Sequence, residues 1–239
     1  MKFNDLTQLL EQDESIFIAR RLKERVEQQR QEQLRIIYDY INNGSIGDLN
    51  LINTVLTTLP KGLHVGDNLF LMDSKIIHLP DDIKIKGGLY LRGSEIMRLP
   101  DNLKVDDLNI SHTKNITQLP RGLSVNRRIL CDFSNITYIP DDIWVKEMLT
   151  LTRTPIKKLP DNLHVDELNI RYTDNIESLP NNLTAGTVAA TGSKLKHIPQ
   201  NNKIKKLIIY NTPLIDPVIK ATGDGEHNPK YPNIKRIYR

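Results

Sequence analysis

The dipeptide Leu-Pro recurs along this chain at Leu59-Pro60, Leu79-Pro80, Leu99-Pro100, Leu119-Pro120, Leu159-Pro160 and Leu179-Pro180. Ile139-Pro140 and Ile198-Pro199 fill the two remaining places, so the step is 20 residues, shortening to 19 at the last. A chain with 13 prolines does not place eight of them in this register by accident. A fixed period of this length means one small unit, repeated, that cannot bury its apolar face alone and must stack on its neighbours. It sets aside a single large core, for which 38% apolar and 5% aromatic residues are also low.

One unit runs from Leu79 to Arg98 and reads Leu-Pro, then Ile83-x-Ile85, then Leu89-x-Leu91, then Ser94, then Ile96. Leu89 and Leu91 are two residues apart, which puts both on one face of a short strand. The equivalent pairs are Leu49/Leu51, Leu69/Leu71, Leu108/Ile110, Ile129/Cys131, Leu149/Leu151, Leu168/Ile170, Val188/Ala190 and Leu207/Ile209. Stacked coil on coil they form a parallel ladder, roughly 40 Å long at about 4.8 Å per coil. A hydroxyl follows each pair: Thr54, Ser74, Ser94, Thr113, Ser134, Thr154, Thr173, Ser193 and Thr212. One small hydroxyl at one coil position is what a tight corner demands, where it bonds backbone groups the turn leaves unpaired. A surface row of phosphate acceptors is the competing reading.

The units Leu79–Arg98, Leu99–Gln118 and Leu159–Ser178 resemble leucine-rich repeats, nearest to the short Leu-Pro-containing bacterial and phage subtype. The resemblance covers about residues 45–215. It implies a right-handed curved solenoid of about nine coils, with a parallel sheet on the concave face and an extended or turn-built convex side. It also implies protein binding through the concave face, as in most members. Ser or Thr stands here where the family has a buried asparagine.

Residues 1–44 lie outside the period and read as a helical N-terminal cap. Asn4 is a cap for a short helix carrying Leu6, Leu9 and Leu10, and Ser15 for a longer one running to about Ile41. Asn43-Gly44 is the stop. Covering the first coil is the plain role; an oligomerisation or docking helix is the alternative, because Glu24–Gln33 is polar apart from Val26. Residues 216–239 read as a basic C-terminal cap. Asp216-Pro217 starts a short helix that Gly223 ends, and Ile234-Lys-Arg-Ile237 echoes Ile204-Lys-Lys-Leu207 as a last coil.

Charge is concentrated at one end. Residues 1–42 carry 7 cations and 8 carboxylates, residues 43–193 carry 16 and 18, and residues 194–239 carry 10 and 3. The net +4 therefore comes from the last segment, with Lys203, Lys205, Lys206, Lys230, Lys235, Arg236 and Arg239 forming a basic patch. Nucleic acid, an anionic lipid surface or an acidic protein would answer such a patch, but no aromatic and glycine pattern of a base-stacking module accompanies it. No apolar run reaches the ~20 residues of a membrane span, and the first residues have no apolar core of a secretory signal.

Chemistry-bearing motifs are few. Cys131 is the one cysteine, at an inward strand position, and a buried cysteine acts as a small hydrophobe. Some bacterial leucine-rich-repeat effectors carry a separate ubiquitin-ligase domain with a Cys-x-Asp nucleophile; Cys131-Asp132-Phe133 does not match it. The six histidines form no tight ligand pair, and His64 and His164 lie five coils apart. Asp81-Asp82, Asp101, Asp141-Asp142 and Asp161 follow the Leu-Pro step as turn formers rather than converging calcium ligands. The expectation is a non-enzymatic protein with no metal and no cofactor, placed in a bacterial or phage-infected cytoplasm or on a virion.

A partner surface is legible in the residues that alternate with the buried ones. Ile52, Phe70, Met72, Tyr90 and Arg92 form one apolar, aromatic and arginine group; Phe133, Arg153, Arg171 and Tyr172 form a second. Interface hot spots are enriched in these types. The leading expectation is recognition of another protein on the concave face. A structural component of a larger assembly such as a virion, and nucleic-acid association through the basic C-terminal end, are the alternatives.

Overall fold

The computed structural model describes residues 3–214 and 234–238, with backbone alone at 3–13, 235 and 236. One helix, α1 (Phe3–Asn42), precedes a run of short strands: β1 (Leu49–Asn50), β2 (His64–Val65), β3 (Leu69–Phe70), β4 (Lys84–Ile85), β5 (Leu89–Tyr90), β6 (Lys104–Asn109) and β7 (Ser124–Leu130). They continue as β8 (Trp144–Val145), β9 (Met148–Thr150), β10 (His164–Asn169), β11 (Thr184–Ala189), β12 (Lys203–Ile208) and β13 (Ile234–Tyr238). The main sheet is parallel throughout, in the order β1-β3-β5-β6-β7-β9-β10-β11-β12-β13, with β8 on β7 and a separate β2–β4 pair.

The register is the one the period dictates. Leu49 pairs with Leu69, Leu69 with Leu89, Leu89 with Leu108, Leu108 with Ile129 and Ile129 with Leu149. The column runs on through Leu168, Val188, Leu207 and Ile237. Each coil drives its aliphatics into one continuous core: Leu79, Ile83, Ile85, Leu89, Leu91 and Ile96 are all buried, as are most of their equivalents, Ile143 being partly buried and Asn202 taking the Ile83 position after Pro199. Burial of this kind is the main favourable term in folding, and here it exists only between coils.

Strand length follows a one-residue difference in spacing. Where the inward residues are three apart, as in Val105/Leu108, Val165/Leu168 and Ile204/Leu207, the strand is continuous over six residues. Where they are four apart, as in Val65/Leu69 and Ile85/Leu89, a bend splits it into two-residue pieces. β7 has the longer spacing and stays whole by bulging against β6 between Val105 and Asp107. The extra residue brings two arginines onto the buried Asp107 carboxylate, Arg128 Nε at 2.7 Å and Arg127 at 3.4 Å.

The hydroxyl row is buried from Thr54 to Ser193, which rules it out as a row of surface phosphate acceptors. Thr113, Ser134, Thr154 and Thr173 each donate to the carbonyl three residues back, at 2.6 to 2.8 Å. Beside this row runs a column of left-handed corners: Asn53, Asp73, Gly93, His112, Phe133, Arg153, Tyr172, Gly192 and Asn211 all have φ between 54° and 69°.

The N-terminal segment departs from the expectation of two helices. α1 is continuous over 40 residues, because no proline or glycine interrupts 3–42 and Ser15 lies inside the helix rather than at its start. Its last two turns close the solenoid. Ile37 is buried, Leu34 and Tyr40 pack on the core, and Gln33 Oε1 accepts from Thr54 Oγ1 at 2.6 Å and from the Val55 amide at 3.0 Å. The Tyr40 hydroxyl donates to the Gly47 carbonyl and accepts from the Gly66 amide, both at 2.9 Å. A Cβ at Gly66 would run into the Ser45 carbonyl, so this approach needs glycine. Residues 14–32 are exposed on every side. The expected C-terminal helix at 216–223 lies outside the described residues.

Candidate functional site

The outward side of the sheet is crowded, so only some of the alternating residues reach solvent. Thr150 and Ala189 are buried by their longer neighbours, and Thr150 Oγ1 donates to Asp132 at 2.8 Å. Two stations remain. In the first, β3 and β5 place Phe70 and Tyr90 in register, and their rings stack at 4.9 Å with planes 15° apart. Burial pushes the Tyr90 phenol up, and the Asp107 carboxylate adds to the shift. Ile52, Met72 and Arg92 hold one corner position in three successive coils, the Asn53 amide bonding the Met72 carbonyl and the Asp73 amide the Arg92 carbonyl. They flank the ring pair rather than join it.

The second station occupies the left-handed corner column. His112 and Phe133 stack at 4.9 Å with planes 8° apart. The Arg153 guanidinium sits 5.5 Å from the Phe133 ring and 5.3 Å from the Tyr172 ring. The sequence grouped Phe133, Arg153, Arg171 and Tyr172; His112, at the same corner position one coil earlier, extends the stack. These four residues hold φ values of 60°, 58°, 55° and 54°, where asparagine, aspartate or glycine serves in the other coils. A bulky side chain in that region is an outlier costing on the order of 1 kcal/mol or more. Each cation–π contact returns about 0.5–1 kcal/mol at an exposed site.

Among the described residues Arg153 has no ion pair, and it lines a cleft of about 520 Å³ with Tyr172, Asn135 and Asp174. The nearby Asp132 carboxylate is already engaged by Thr150 and by the Thr152 amide at 2.7 Å. Arg171 is half-buried, and its carbonyl accepts the Arg153 amide at 3.1 Å.

Elsewhere several carboxylates are engaged in the fold. Asp101 accepts the Arg121 amide at 3.1 Å, Asp142 the Gly122 amide at 2.9 Å, and Asp161 the Asn181 amide at 2.9 Å. That last bond is the main reason the Asp161 carboxyl lies below its usual range. Cys131 is fully buried, and desolvation pushes its thiol far up. No group of three metal-ligating side chains occurs among the described residues. Of the basic patch, Lys203 and Lys205 are exposed, and the Lys206 ammonium lies 4.8 Å from the Tyr238 ring. Lys230, Arg239 and the side chains of Lys235 and Arg236 lie outside the described residues. No described helix is long and apolar enough to cross a membrane.

No family model and no curated protein matches the chain. Among solved structures it is similar to the leucine-rich-repeat domain of a Shigella effector, with a TM-score of 0.55 over 88% of each chain at 20% identity. With the parallel register already established, that likeness settles the architecture. The chain is a leucine-rich-repeat solenoid. Within it, both stations lie on or beside the sheet, on residues the repeat leaves free to vary.

Proposed function

We propose that this leucine-rich-repeat solenoid is a non-enzymatic binding protein that holds a protein partner against the sheet face and its adjoining corner. The observation that carries the reading is the Phe133–Arg153–Tyr172 sandwich. Its guanidinium is held between two rings at a strained, exposed corner with no carboxylate of its own. Arg and aromatic residues dominate interface hot spots, and a guanidinium oriented in advance loses less freedom on meeting a partner's carboxylate. The Phe70–Tyr90 stack supplies a second, apolar anchor. Asp132, held by Thr150 and the Thr152 amide, and the buried Cys131 thiol fit a binding role better than a catalytic one.

The test is affinity capture from the native source, with and without nuclease, using the wild type, Phe70→Ala/Tyr90→Ala and Arg153→Ala. A protein retained after nuclease and lost in both variants supports the reading. A set of partners that disappears with nuclease, and is unaffected by either variant, moves the function to the basic C-terminal end. Recovery in particles at fixed stoichiometry, again indifferent to both variants, makes the chain a structural component instead.

A further inference from the structure

The cap uses only the end of α1. The side chains that dock, Gln33, Ile37 and Tyr40, continue N-terminally along the same helix face as Val26, Leu22 and Ile18, at steps of three, four and seven residues. Among the described residues nothing covers that continuation: Val26, Leu22 and Ile18 are half exposed, and so are Phe17 and Ile16, which lie off that face. At 1.5 Å per residue the segment 3–32 extends about 45 Å beyond its docked turns. Intrahelical pairs such as Arg20–Glu24, Arg30–Glu27 and Arg35–Glu32 support it, but exposed pairs of this kind contribute only about 0.3–0.5 kcal/mol each.

The charges along the segment say what fits it. Between 3 and 14 it carries four carboxylates, Asp5, Glu11, Asp13 and Glu14, and no cation. Between 20 and 25 it carries Arg20, Arg21, Lys23 and Arg25 against Glu24 alone. Ile16-Phe17-Ile18 separates the two blocks. A second copy laid parallel would set acidic on acidic and basic on basic. Laid antiparallel, with the crossing beside Ile18, each acidic block falls opposite the other copy's basic block. The two solenoids then point to opposite ends, clear of one another.

We propose that the projecting part of α1 pairs antiparallel with the same segment of a second copy, giving a dimer held by Ile18, Leu22 and Val26 and by the two reciprocal charge blocks. This stands independently of what the sheet face binds.

The test uses the full chain at low salt, with mass read by light scattering and sedimentation. Wild type is expected at twice the chain mass. Arg20→Glu/Arg21→Glu/Arg25→Glu and Glu11→Lys/Asp13→Lys/Glu14→Lys are each expected as monomers, and an equimolar mixture of the two is expected to recover the doubled mass. Leu22→Glu/Val26→Glu is expected to be monomeric with an unchanged solenoid denaturation midpoint, which separates lost pairing from misfolding. A wild-type monomer up to roughly 100 μM, a dimer indifferent to both charge variants, or a mixture that stays monomeric overturns the proposal. So does a wild-type monomer that instead sediments with vesicles of anionic lipid.

Discussion

The corner hydroxyls show how little freedom a single position has here. Thr113 Oγ1 closes a 2.6 Å bond to the Ile110 carbonyl, whereas the buried Ser74 and Ser94 hydroxyls have no partner. Thr113→Val keeps the shape and removes the bond, so it should cost about 1 kcal/mol. Ser74→Ala removes an unpaired buried hydroxyl and should leave the denaturation midpoint unchanged or raised. The same midpoint for both variants would refute this assignment of the row. Cys131 contributes to the loss of stability at alkaline pH. Its folded thiol ionises far above its usual value of about 9.0 because burial opposes the charged form. The folded chain therefore keeps a proton that the unfolded chain releases. The thiol's contribution to stability should be level below about pH 9 and fall as pH rises beyond it, and Cys131→Ala should lessen that fall. Below pH 9 a thiol reagent should label the native chain only at the rate at which it opens.

At the scale of elements, the β6–β7 bulge concentrates charge in the core wall. Removing Arg128 leaves a largely buried carboxylate with only the longer contact to Arg127. Removing Asp107 instead leaves two half-exposed guanidinium groups free to turn into water. Arg128→Ala should thus cost more, about 2 kcal/mol against about 1 for Asp107→Ala, and the reverse order in urea titrations would contradict the geometry. Much at this level was legible beforehand. Alternating apolar pairs named the rungs from β1 to β12, since a period-two pattern can face only one way, and the Ile234-Lys-Arg-Ile237 echo named the last. The bulge was not legible, because one extra residue between Val125 and Ile129 keeps the same inward pair. The unbroken α1 was missed for a related reason: Asn4 and Ser15 are cap-forming residue types, and only the absence of a breaker between them decides that the helix runs through. The aromatic stations were half legible. His112, Phe133, Arg153 and Tyr172 could be placed in one row by coil position, but neither their left-handed backbone nor the stacking of their side chains was legible.

For the whole molecule, stability is approximately a sum over coils and the interfaces between neighbours. Amide exchange should accordingly be slowest in β6, β7, β9 and β10 and faster in β1 and β3; uniform protection from end to end would speak against nearest-neighbour coupling. The same arrangement makes the two aromatic stations marks on a ruler. Three coil steps separate the strand of Tyr90 from the strand that leads to Arg153, about 14 Å along the sheet. Excising one 20-residue unit between them would leave every remaining rung its pairing and shorten that interval by about 4.8 Å. Evolution by unit duplication or loss would change the spacing of the contact points in fixed increments while leaving the contact points themselves intact.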